Sequence, residues 1–124
     1  MKVYSFEKLE CWQHAGKLTA WAYKATRNFP DEEKFGMIMQ MRRATFSIAS
    51  NLVEGTSRKS SKDQSHFSTM AYGSTVELLN GLIISNDLLF LSDNLYAAGR
   101  SLIERQTLLI AQLRKSQNIN PKLS

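Results

Sequence analysis

Within RRATFSIASNLVEGTSRK, residues 42–59, two arginines precede an apolar run, and an Asn, a Glu, a Gly and a basic pair follow. Guanidinium forks in such density suit phosphate oxygens, which they grip through parallel N–H donors. The same residue types along a helix can instead make a polar seam against a neighbour. Arg43, Ser47, Asn51, Glu54 and Arg58 recur every three or four residues, which stacks them in one longitudinal stripe. That stripe reads as a structural seam beside an apolar face. Arg42, Arg58, Lys59 and Lys62 flank it near a loop and are candidates for contacting phosphates, the alternative being a solvated helix end. Arg100, Arg105, Arg114 and Lys115 form a second candidate strip, with a solvated face again the alternative.

Catalytic chemistry finds little support. Cys11, His14 and His66 are the only cysteine and histidines, and no serine stands in a recognisable nucleophile–base pattern. Glu54 and Glu77 are the nearest approach to paired carboxylates, but each has an arginine closer by. A non-enzymatic protein without metal or cofactor is the expectation. Trp12, Trp21 and Tyr23 could stack nucleobases, although the helical spacing of Trp12 favours the core.

The elements that must position these residues follow from composition and periodicity. A chain of 124 residues, 43% hydrophobic and 22% charged, fits one globular domain. A lone cysteine suits a reducing compartment, so the cytoplasm is the expected location. Glu7 and Glu10 interrupt the apolar core that a signal peptide needs, and no run approaches the ~18 apolar residues of a membrane span. The net charge is +5, modest for a nucleic-acid binder. Its distribution says more: no Lys or Arg lies between Lys62 and Arg100, whereas Asp63, Glu77, Asp87 and Asp93 all do. The basic segments make a patch only if they converge in space.

Four helices are predicted. The first runs from about Ser5 to Asn28 on Phe6, Leu9, Trp12, Ala15, Leu18, Ala22 and Ala25. The second starts at the acidic triplet 31–33 and reaches Gly55, with Phe35, Ile38, Met41, Thr45, Ile48 and Leu52 inside. The third opens at Ser60 or Ser61 and continues to about Phe90, with Phe67, Met70, Ala71, Ser74, Leu78, Leu82, Ser85 and Leu88 on one face. The fourth follows the Ser92-Asp93-Asn94 cap and dissolves near Ser116-Gln117-Asn118. The architecture is therefore all-α, an antiparallel up-and-down four-helix bundle over residues 1–116 with a loose tail at 117–124.

The third helix carries more apolar surface than one bundle face requires. Leu79, Ile83, Ile84 and Phe90 are candidates for contact with another copy of the chain; a central place in its own bundle is the alternative. Antiparallel pairing around a turn near Lys59 brings residues whose numbers sum to roughly 118 to one level. An Arg43–Glu77 ion pair is predicted on that register, with Gly73 and Gly81 allowing close approach.

The segments LECWQHAGKLTAWAYKAT, FPDEEKFGMIMQMRRATFSIASNLVEGTSRKSSKDQSHF and AYGSTVELLNGLIISNDL resemble the family of four-helix-bundle proteins encoded in bacterial 23S rRNA intervening sequences. The likeness spans about residues 5–115 and is strongest in the order Arg43, Ser47, Asn51, Glu54-Gly55, Arg58, Gly73-Ser74 and Glu77. Ala49 stands where the family usually has Pro, and Thr56-Ser57-Arg58 replaces its commoner aromatic-Gly-Arg. The resemblance implies a homopentameric ring, similar in fold to the accessory variability protein of diversity-generating retroelements, a basic pentamer that binds reverse transcriptase and nucleic acid. Two functional expectations follow: a ring that binds RNA or ribonucleoprotein, or a protein-interaction adaptor such as an accessory subunit of a retroelement reverse transcriptase.

Overall fold

In the computed structural model, which describes residues 1–119, the long periodic segments become four helices: α1 (Glu10–Thr26), α2 (Met37–Thr56), α3 (Ser61–Asp87) and α4 (Asp93–Ile119). Each packs on its sequence neighbours and α1 also packs on α4, while among the described residues the diagonal pairs make no close backbone approach. This is the closed square of an up-and-down bundle. Its axis is filled by Leu18, Met41, Ile48, Leu52, Leu78, Leu82, Ile103 and Ile110. Ser60 caps α3 by accepting the Asp63 N–H at 3.1 Å, and Ser92 accepts the Leu95 N–H at 3.2 Å, as their positions before the apolar runs suggested.

The helix boundaries differ from expectation in three places. Residues Ser5–Lys8 form a separate 3-10 turn, because the Glu7 carboxylate folds back to accept the Tyr4 N–H at 2.8 Å and Leu9 turns extended. The acidic triplet Asp31–Glu33 is likewise a 3-10 turn. Only Glu33 reaches α2, where it accepts the Met37 N–H at 3.3 Å, and Phe35 lies outside the helix, 76% exposed rather than inside. At the far end α4 continues through Ile119. The boundary at 116 is therefore too early: Gln117 is buried and its Oε1 accepts the Ser68 hydroxyl at 2.8 Å. Residues 120–124 of the expected tail lie outside the described residues.

Buried polar groups tie α1 to its neighbours. Thr26 donates to the Ala22 carbonyl at 2.7 Å while accepting from Arg42 Nε at 2.9 Å. Gln106, fully buried, donates to the Cys11 carbonyl at 3.1 Å. Burial pushes the Cys11 thiol from 9.0 up to about 12; the Gln106 hydrogen bond opposes the shift and the Glu10 charge adds to it. The raised value means stability is fully present below pH 9.0 and is lost as pH climbs through about 12. At pH 8 the native thiol is expected to react at least ~100-fold more slowly with a chromogenic disulfide reagent than the urea-unfolded chain. Equal rates would show that Cys11 is not held in the core.

Candidate nucleic-acid interface

The seam forms between α2 and α3, but not by the expected ion pair. Ser47 and Ser74 hydroxyls meet at 2.8 Å, and Asn51 Nδ2 donates to the Ser47 carbonyl and hydroxyl at 2.9 and 3.2 Å. The register thus lies within about one turn of that expected. Arg43 and Glu77 are both exposed and do not pair. The reason is angular: each four-residue step overshoots a full turn by about 40°, so Arg43 has drifted from the Ser47 seam toward the outer face of α2. There it lines an open groove with Phe46 and Tyr23, whereas Glu77 borders a different one with Gln40 and Asn80. Glu54 pairs instead with Arg58, at 3.1 Å. Gly81 does permit close approach, of the Met41 side chain, whereas Gly73 has no neighbour within 4 Å of its would-be Cβ.

The candidate cations divide by position. Arg42 is not free at a loop: its guanidinium stacks 4.4 Å from the Tyr23 ring centroid and is fixed by Thr26. Arg100 donates to the Tyr96 hydroxyl at 3.2 Å near the start of α4, and Arg105 reaches Glu10 at 3.4 Å. The rest gather at one end of the bundle. The α2–α3 turn carries Arg58 and Lys59, the first turn of α3 carries Lys62, and antiparallel packing returns the last turns of α4, with Arg114 and Lys115, to that end. The Ser68–Gln117 hydrogen bond fixes this return, and Arg114 stands 6.0 Å from the Tyr72 ring. Lys62 is six residues before Ser68 on α3, about 9 Å along the axis. Arg58 has two contacts, the Glu54 carboxylate and the Phe67 ring at 4.7 Å. Lys59, Lys62 and Lys115 are exposed and, among the described residues, have no ion-pair partner.

Of the proposed interface residues, Leu79 and Phe90 are partly buried against the protein's own core, Phe90 packing 5.3 Å from the Phe29 ring. Ile83 and Ile84 stay exposed. Periodicity overlooked the outer face of α2. Phe46, two residues before the fully buried Ile48, points the opposite way and is 73% exposed. With Tyr23, Phe35, Ile38, Met39, Arg42, Arg43 and Lys34 it lines a groove of about 460 Å³. The seven-residue recurrence of Met39, Phe46 and Val53 was the signal that could have revealed this second stripe.

Among the described residues no cluster of three or more metal-ligating side chains occurs, and no helix is long and apolar enough to cross a membrane. Fold and charge together define a helical-bundle protein with a basic end. The family described as "23S rRNA-intervening sequence protein" matches residues 7–114, and the chain belongs to that family. It is also similar in structure to a protein of unknown function from the S23 ribosomal protein family of Bacteroides thetaiotaomicron. The TM-score is 0.75 at 18% identity, over 85% of this chain and 98% of the other. A search of curated proteins found no match.

Proposed function

We propose that the protein is a non-enzymatic, ring-forming RNA-binding module whose contact surface is the basic end built from the α2–α3 turn and the last turns of α4. The observation that carries this reading is convergence: Lys59 and Lys62 are far from Lys115 in sequence, yet the bundle returns them to one end. Phosphates are held there by charge and by the forks of Arg58 and Arg114, with little base readout. A ring of several copies, five by the family resemblance, multiplies a weak single-copy contact through avidity. A cytoplasmic location is consistent with this role.

Ultraviolet crosslinking to a structured RNA, with the crosslinked peptides mapped by mass spectrometry, tests the surface. Crosslinks are expected within residues 57–62 and 111–118; crosslinks confined to the Tyr23–Phe46 groove, or none, would refute it. The exposed apolar faces favour a second reading, an adaptor for a protein partner such as a retroelement reverse transcriptase. Affinity capture with that enzyme, with and without ribonuclease, separates the two.

A further inference from the structure

Two faces of this bundle have no partner among the described residues, and they are opposites in charge. On α2, Met39, Phe46 and Val53 recur every seven residues, flanked by Arg42 and Arg43. On α3, Met70, Glu77 and Ile84 recur at the same interval, with Leu88 one turn on and Asp87 beside it. No Lys or Arg follows Lys62 on α3. Leu88 is 53% exposed and Leu89 88% exposed.

Leu89 adds an independent anomaly. It ends α3 in the left-handed region, φ 64°, with its N–H on the Asn86 carbonyl and the Phe90 N–H on the Ser85 carbonyl. This is the helix-ending motif in which glycine is usual. A leucine there bears backbone strain while its side chain stands in water, two costs with no return inside the monomer.

We propose that the apolar, acidic face of α3 (Glu77, Ile84, Leu88, Leu89) docks onto the basic aromatic groove of α2 (Arg43, Phe46) in a second copy of this chain, head to tail. This rests on the ring reading above and names its interface. A seven-residue apolar seam flanked by basic residues, facing an apolar stripe that carries carboxylates, is the charge-complementary pattern by which helices pair selectively. The two faces belong to adjacent corners of a square bundle, so their outward directions diverge by about a right angle. A heterologous contact with that turn closes on a small ring rather than stopping at a dimer.

Native mass spectrometry at micromolar concentration tests the pairing with Phe46→Glu and Leu88→Glu, both at exposed positions. Each variant is expected to be monomeric and helical by circular dichroism. An equimolar mixture is expected to give a one-to-one heterodimer, because each chain retains the face the other lacks. A mixture that stays monomeric, or a variant that keeps the wild-type copy number, overturns the interface and leaves the ring reading standing. A monomeric wild type overturns both. Should Phe46→Glu fail to fold, Arg43→Glu replaces it, and Arg43→Glu with Glu77→Arg must then restore the wild-type copy number. Leu89→Gly separates the two costs. In the monomeric Phe46→Glu chain it is expected to raise Tm by about 3 °C, and in the wild-type chain to weaken assembly at least tenfold. Unchanged assembly in that second chain would exclude Leu89 from the contact.

Discussion

Gly99→Ala is expected to lower the melting temperature by about 10 °C, a loss of about 3 kcal/mol for a domain of this size. A Cβ at Gly99 would overlap Trp21 Cζ2 and lie 2.7 Å from Cη2. The indole cannot swing aside cheaply. It is buried, and its Nε1–H donates to the Leu95 carbonyl at 3.1 Å, on the same helix as Gly99. Relief of the clash must either break that bond or push α4 off α1. Two other glycines calibrate the result. At Gly81 a Cβ would meet Met41 Cγ at 2.9 Å, a flexible side chain that can give way, so Gly81→Ala should cost about 1 kcal/mol. At Gly73 nothing lies within 4 Å, and Gly73→Ala should stabilise by about 0.5 kcal/mol through helix propensity alone. Urea unfolding of the three variants should give that order. A Gly99→Ala chain as stable as the wild type would mean that α1 and α4 do not pack through Trp21.

The second large effect concerns RNA. Reversing Lys59, Lys62 and Lys115 together to Glu is expected to weaken RNA binding at least ~100-fold at 0.1 M salt. The fold should be unchanged, since all three side chains are exposed and carry no ion pair among the described residues. Lys17→Glu, Lys24→Glu and Arg27→Glu together are the matched control, the same change in charge at exposed positions of α1 and the turn after it. None of the three lies on the α2–α3 turn or the last turns of α4, so the loss should stay within about threefold at that salt. Filter binding of the two variants beside the wild type reads the difference. Equal losses would point to a diffuse attraction of the whole chain rather than a surface at one end.

Much of the architecture was written in the apolar period. Ala15, Leu18, Ala22 and Ala25 on α1, and Met41, Ile48 and Leu52 on α2, are buried as their spacing requires, and Ser60 caps as its position implies. What sequence did not settle was angular. A polar stripe at three- and four-residue intervals drifts around the helix, so Ser47 and Asn51 form the seam while Arg43 leaves it. Phe35 is apolar and in phase with the inner stripe, yet the 3-10 turn at Asp31–Glu33 resets the phase ahead of α2 and leaves it exposed. The basic residues were all visible, but their meeting at one end depends on long-range packing such as the Ser68–Gln117 pair, whose members are 49 residues apart. The expected fraying at Ser116 missed this pair because a buried amide on a polar-rich helix end gives no periodic signal.

The salt dependence of RNA affinity reports whether phosphates are held at the basic end. Each phosphate that a lysine or arginine neutralises on a single strand contributes about −0.7 to the slope of log K against log salt. Five such contacts, from Arg58, Lys59, Lys62, Arg114 and Lys115, predict a slope of about −3.5 for the single-copy Phe46→Glu chain and a steeper one for the wild type. A slope near zero in both would contradict a basic end that holds RNA through its phosphates.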